Sequence, residues 1–71
     1  MEIFDFLRNA IHDLIGTPVE DIRPESTPEE LRMDPFDVEE LMLDVENRFD
    51  VYIPETEFDT LEDLAKLVAA A

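Results

Sequence analysis

The sequence predicts an all-α fold, a small four-helix bundle of three main helices and a short third helix, in one domain over residues 1–71. Two observations predict this fold. Apolar residues recur at steps of three and four in three segments, and each segment has a residue that can cap a helix end. A chain of 71 residues has room for one thin core and for no deep cavity.

The first helix is predicted over about residues 3–15. Gly16 follows the last apolar residue, where a glycine can end a helix, and Pro18 comes soon after. The apolar residues share one face, which we expect to pack on the core. This face consists of Ile3, Leu7, Ala10, Ile11 and Leu14.

Residues 17–34 are predicted to form a long connection. Val19 and Ile22 are the apolar residues that we expect to anchor it to the core. Thr27 and Glu30 have the spacing of a capping box, in which each side chain accepts a hydrogen bond from the other residue's backbone. The pair predicts a short helical turn in the middle of the connection.

The second main helix is predicted over about residues 35–49, with Asp34 as its N-cap and Pro35 as its first residue. Its apolar positions again follow helical spacing, which predicts a core face. That face consists of Val38, Leu41, Met42, Val45 and Phe49.

The short third helix is predicted at Glu55–Phe58, as at most one turn. The last helix is predicted to begin at Thr60, an N-cap with Asp63 three residues later. Tyr52 is expected to pack in the turn that leaves the second helix. The apolar face of the last helix consists of Leu61, Leu64, Ala65, Leu67 and Val68.

Acidic residues dominate the composition, with 20 Asp and Glu against 5 Lys and Arg and a net charge of −15. This charge repels nucleic acids and anionic membranes and attracts basic protein surfaces. The chain has no apolar run long enough to span a membrane and no leader-like N-terminus. We therefore expect a cytoplasmic monomer whose partner is a basic protein.

Few side chains in the sequence can do chemistry, because the chain has no cysteine, one histidine and one serine. A nucleophile and a base cannot be paired from this set, so no enzymatic activity is predicted. His12 is expected to be a solvated side chain on the first helix. The acidic pairs near Asp34 and Asp50 suggest weak cation binding only, and no dedicated metal site is predicted.

Phe36 and Leu43 do not belong to the core face of the second helix. They are seven residues apart and share one stripe, which acidic residues such as Glu40 surround. One interpretation is that both pack under the long connection. The other is that the stripe docks on a basic groove with an apolar centre, where the apolar side chains supply affinity and the carboxylates supply orientation.

Four segments resemble the acyl carrier protein family: the stretch 33–41, the segment 49–54, the segment 59–63, and the pair Ile15-Gly16, which is similar to the end of the family's first helix. The first looks like the family's Asp-Ser-Leu signature and the helix after it, the second like Phe-Asp followed by Ile-Pro, and the third like the Thr-opened last helix. The resemblance implies an acidic second helix that docks on enzymes. It assigns partner binding to Asp34, Phe36, Asp37, Glu40, Leu43 and Glu46.

The chain departs from the family pattern where the resemblance matters most. Pro35 occupies the position of the serine that carries phosphopantetheine in the family, and proline has no hydroxyl to esterify. Arg32 occupies the position of a family glycine. Ser26 has no Asp-Ser-Leu context and is expected to support the Thr27 turn. No phosphopantetheine or other cofactor is therefore expected.

Three functions remain open at this point. The first is a binding module without a prosthetic arm, which docks on a carrier-dependent enzyme or its regulator. The second is a genuine acyl carrier protein of fatty acid, polyketide or related biosynthesis that is loaded by an unusual route. The third is an acidic inhibitor, similar to an antitoxin, that covers a basic surface. Non-covalent binding of a lipid between the helices is compatible with each of them.

Overall fold

The computed structural model describes residues 2–53 and 58–71. These residues form three α-helices and no strand: α1 (Glu2–Ile15), α2 (Pro35–Phe49) and α3 (Leu61–Ala70). A 3-10 helix, Val19–Asp21, lies in the connection between α1 and α2. The three main helices begin within about one residue of the predicted positions, and α1 and α2 also end where predicted. The short helix predicted at Glu55–Phe58 lies outside the described residues, apart from Phe58, which is not helical.

Helix α1 packs against both α2 and α3. Its buried residues are Phe4, Leu7 and Ile11, at helical spacing. The predicted face omitted Phe4, which is buried, whereas its members Ile3, Ala10 and Leu14 are partly buried and pack against the core. A helix with a neighbour on each of two sides buries a broader stripe than a helix with one neighbour.

Helix α2 turns its predicted apolar face toward the core. The C-terminal end of α2 packs on α1, because the rings of Phe6 and Phe49 meet edge to face with centroids 5.4 Å apart. Three residues of the face are buried and two are partly buried: Leu41, Met42 and Val45, then Val38 and Phe49.

Ile22 and Met33 of the connection between α1 and α2 are buried in the core, and Leu31 is partly buried against it. Val19, the other predicted anchor, is only partly buried. Met33 was not predicted as a core residue. The predicted capping box is confirmed, since the Thr27 amide donates to Glu30 Oε1 at 3.1 Å and the Glu30 amide donates to Thr27 Oγ1 at 3.1 Å. The connection is therefore an ordered part of the fold.

The first backbone amides of α3 find acceptors outside the helix. The Leu61 amide donates to the carbonyl of Ser26 at 3.0 Å, and the Glu62 amide donates to the carbonyl of Pro24 at 2.8 Å. The predicted N-cap, Thr60, accepts from the third amide at 3.2 Å. These bonds satisfy donors that a helix start leaves free, and they tie α3 to the connection.

Three helical segments end at a residue in the left-handed backbone conformation. These residues are Gly16 with φ 79°, Arg32 with φ 61° and Asp50 with φ 54°. Glycine adopts this conformation without strain, and aspartate tolerates it better than most residues do. Arginine is therefore the strained member of the three.

Arg32 ends the turn that Thr27 begins. Its amide donates to the carbonyl of Glu29 at 3.0 Å, and the amide of Met33 donates to the carbonyl of Pro28 at 2.9 Å. This pair of bonds is the Schellman arrangement, which places a left-handed residue directly after the helical turn. The hydrogen bonding of the turn therefore imposes the positive φ on Arg32.

We expect Arg32→Gly to raise the free energy of unfolding by about 0.5–1 kcal/mol, because glycine adopts the left-handed conformation without strain. Part of this gain is lost, because glycine also increases the conformational entropy of the unfolded chain. Urea denaturation followed by circular dichroism measures this. Gly16→Ala is the matched control, since an added Cβ meets nothing within 4 Å there. That variant should lose about 1 kcal/mol from backbone strain alone. A less stable Arg32→Gly variant would contradict the assignment of strain.

Candidate docking site

The first turn of α2 is held by two carboxylates that exchange hydrogen bonds with each other's backbone. Asp34 Oδ1 accepts from the Asp37 amide at 2.8 Å, and Asp37 Oδ2 accepts from the Asp34 amide at 3.2 Å. Both negative charges lie at the positive end of the helix dipole. The predicted N-cap is confirmed, and two residues assigned to partner binding also have a structural role.

Pro35 is the first residue of α2 and is exposed. A proline fits this position because the amide that it lacks would have no partner within the helix, and its fixed φ suits a helical start. Its ring carries no atom that can form an ester or donate a hydrogen bond.

Phe36 and Leu43 are exposed, with 80% and 54% of their surface accessible. The interpretation in which they pack under the connection is therefore wrong. Glu39 and Glu40 are exposed beside them. Together these four residues form a continuous surface along α2, which we call the α2 stripe.

Glu46 also accepts a hydrogen bond within the chain, but from a residue more distant in the sequence than the partners of Asp34 and Asp37. It is partly buried, and its Oε2 accepts a hydrogen bond from the amide of Ile53 at 2.8 Å. Ile53 is part of the core. Glu46 thus fixes the segment that leaves α2, a contact across seven residues that helical spacing does not reveal.

Tyr52 is 77% exposed, so the expectation that it packs in the exit turn was wrong. Its neighbours explain the difference. Val51 is partly buried and Ile53 is buried. The residues on either side of Tyr52 thus take the inward positions, and Tyr52 is left on the surface.

The remaining polar candidates are occupied in structural contacts. Ser26 is only 8% exposed, and its Oγ accepts a hydrogen bond from the amide of Arg23 at 3.0 Å, so it supports this turn and not the expected one at Thr27. The exposed His12 donates from Nδ1 to the carbonyl of Thr17 at 2.8 Å. Over residues 2–53 and 58–71, no three acidic or histidine side chains come together as a metal site.

Comparison with known proteins identifies the family. The chain matches the model of the phosphopantetheine attachment site family over residues 5–71. It is 35% identical over 69 residues to the acyl carrier protein of Campylobacter curvus (strain 525.92), which covers 96% of this chain and 90% of that protein. The chain belongs to the acyl carrier protein family.

A second acyl carrier protein, from Lactococcus lactis subsp. cremoris (strain MG1363), is 33% identical over 69 residues, which covers 96% of this chain and 94% of that protein. No solved structure matches the chain significantly. Members of the acyl carrier protein family are carriers and not catalysts, which confirms that the chain is not an enzyme. Within the described part, no helix is long and apolar enough to cross a bilayer.

In this acyl carrier protein-like chain, the side of α2 next to the stripe holds an open hollow of about 340 Å³. Pro35 and Glu39 lie at its edge, and Val38 and Met42 supply apolar walls. All four lining residues belong to α2, so this hollow is not a space between helices, and non-covalent binding of a lipid between the helices stays a prediction.

We expect Glu46→Ala to lower the free energy of unfolding by about 1–2 kcal/mol, because it leaves the Ile53 amide without its acceptor. Glu46→Gln keeps an acceptor oxygen and should lose less than half as much. Urea denaturation of both variants measures the difference. Glu40→Ala, at an exposed position, should change stability by no more than about 0.5 kcal/mol. Equal losses in the two Glu46 variants would contradict this role.

Proposed function

We propose that this member of the acyl carrier protein family is an adaptor without a prosthetic arm. In this proposal α2 docks on a basic protein, either a carrier-dependent enzyme or its regulator. One observation carries the proposal: Pro35 stands directly after the N-cap of α2, where the resemblance places the attachment serine, and proline offers no hydroxyl for phosphopantetheine.

The start of α2 supports this proposal, because the helix begins regularly with Pro35 as its first residue. The bonds between Asp34 and Asp37 are both present, and Pro35 continues directly into the helix. A proline at this position cannot carry phosphopantetheine, but it leaves the start of α2 intact, and this favours a chain that still binds partners through α2. Ser26, the single serine of the chain, is buried and hydrogen bonded, which argues against it as a replacement attachment site.

The surface of α2 supports a basic partner with an apolar centre. Phe36 and Leu43 offer exposed apolar anchors, while Glu39 and Glu40 flank them with negative charge. Anchors of this kind supply most of the affinity in protein interfaces, and charges around them steer the encounter. We assign the main contacts to Phe36, Glu40 and Leu43.

Asp34, Asp37 and Glu46 complete the proposed contact surface with secondary roles. Each already accepts a hydrogen bond from the chain's own backbone. A carboxylate accepts more than one hydrogen bond, so each can still meet a basic side chain of a partner. The proposal includes a cytoplasmic monomer that binds neither nucleic acid nor membranes, as expected for a net charge of −15.

The second candidate is a genuine acyl carrier protein, loaded by an unusual route. Membership of the family favours it, since the matched model is that of a phosphopantetheine attachment site. The two candidates differ in one covalent bond, because a genuine carrier has phosphopantetheine attached to its polypeptide and the proposed adaptor does not.

Intact mass spectrometry of the protein from its native host separates the two candidates. We expect the mass of the unmodified polypeptide, and no gain when the purified chain is incubated with coenzyme A and a phosphopantetheinyl transferase. Pro35→Ser should gain the arm under the same conditions, because it restores the missing hydroxyl at the start of α2. An arm on the unaltered chain, at any residue, would establish the carrier and end the adaptor proposal.

The docking surface is tested by capture from native host extract. We expect Glu40→Lys with Leu43→Ala to reduce retention of the captured partner by at least tenfold, since the pair removes an anchor and reverses an orienting charge. Glu25→Lys, an equal change of charge at an exposed position away from α2, is the matched control and should retain the partner. Retention by all three proteins would contradict docking through α2.

A further inference from the structure

Arg32 keeps an unfavourable backbone conformation at an exposed position. Its φ of 61° is imposed by the turn that it ends, and its side chain is not part of the core. Strained residues that lack a packing role are often retained for function. At the two equivalent helix ends the chain uses Gly16 and Asp50, which adopt this conformation more easily.

Within the described residues, the positive charge of Arg32 is also unpaired. In the described residues its guanidinium has no hydrogen bond, ion pair or aromatic contact. Two other arginines differ in this respect: Arg8 is 3.2 Å from Asp5 and lies over the ring of Phe4, and Arg48 lies 5.1 Å from the ring centroid of Phe49. Arg32 therefore offers its positive charge to the surroundings.

This charge lies at the edge of the proposed docking surface. Arg32 is three residues before Pro35, so the two Cα atoms are at most about 11 Å apart. It precedes a segment rich in carboxylates, which begins at Asp34 and continues along the α2 stripe. A basic protein that fits the stripe and reaches the first turn of α2 must meet a like charge there.

We infer that Arg32 is a specificity-determining residue that disfavours phosphopantetheinyl transferases whose surface brings a positive charge to the start of α2. The inference rests on the proposed docking role of α2. A like charge across an interface raises the free energy of the complex. Arg32 would thus form a second barrier to loading, independent of the missing hydroxyl at Pro35.

The test uses Pro35→Ser as the background, with coenzyme A and a phosphopantetheinyl transferase as the probe. In the reaction the serine oxygen forms a bond to the phosphorus of the phosphopantetheine phosphate, adenosine 3′,5′-bisphosphate leaves, and the hydroxyl proton passes to the enzyme or solvent. We expect Arg32→Asn and Arg32→Gly to raise kcat/KM by about fivefold at low salt, the effect of one like-charge contact in water. The gain should shrink as salt is added, because salt screens exposed charges.

Two further variants separate local charge from strain and from net charge. Arg32→Lys keeps the charge and the strained backbone, so its kcat/KM should stay near that of Pro35→Ser alone. Arg23→Gln removes an exposed positive charge from the part of the connection that is bonded to α3, and it should give no gain. A rise only for the neutral residues at position 32 supports the inference.

Several results would overturn it. Equal kcat/KM values with arginine, asparagine and glycine at position 32 would show that the charge there does not affect the transferase. A higher kcat/KM for Arg32→Lys would assign the effect to side-chain shape. A higher kcat/KM for Arg32→Gly but not for Arg32→Asn would assign it to backbone strain. Failure of every variant to be modified would show that residue 32 does not limit loading. None of these results depends on capture of the native partner, so they are distinct from failure of docking through α2.

Discussion

The exchange of hydrogen bonds between Asp34 and Asp37 sets the residue at which α2 begins, and the direction of the side chains along the helix follows from it. Each residue advances by about 100° around the helix axis. With this start, Leu41 and Val45 face the core while Phe36 and Leu43 face outward. Proline is accepted at the first position because that position requires no amide. The same local rule thus accepts proline, which has no hydroxyl, at the position where the resemblance places the attachment serine.

The acidic residues of α2 are of two kinds, although they look alike in the sequence. Asp34, Asp37 and Glu46 accept hydrogen bonds from the backbone and hold both ends of the helix in place. Glu39 and Glu40 are exposed beside the apolar residues of the stripe. Reversal of charge at the first kind of residue changes both folding and binding, whereas at the second kind it acts on the surface alone. This difference decides which variants can report on docking.

Much of the fold was predictable because it depends on contacts between residues close in the sequence. Caps three residues apart, such as Thr27 with Glu30 and Asp34 with Asp37, occur where the pattern placed them. The burial of Phe4 was missed, because it depends on α1 having neighbours on two sides.

The candidate site was predictable to the same extent. The outward stripe follows from helical periodicity, and its exposure agrees with the docking interpretation. The bond from Ile53 to Glu46 was not predictable, because it spans a left-handed turn at Asp50 that the sequence marks only weakly. The exposure of Tyr52 follows from this same exit path, in which its neighbour Ile53 is drawn into the core.

The helix ends show that residues with different amounts of backbone strain can adopt the same left-handed conformation. Gly16 and Arg32 both occupy left-handed positions after a helical turn. Glycine there serves the backbone only, whereas arginine adds a charge at the expense of strain. The hydrogen bonds around Arg32 complete a regular turn end, so nothing in the backbone demands a long charged side chain. The side chain of Arg32 is exposed two residues before the N-cap of α2, which places it at the edge of the proposed docking surface.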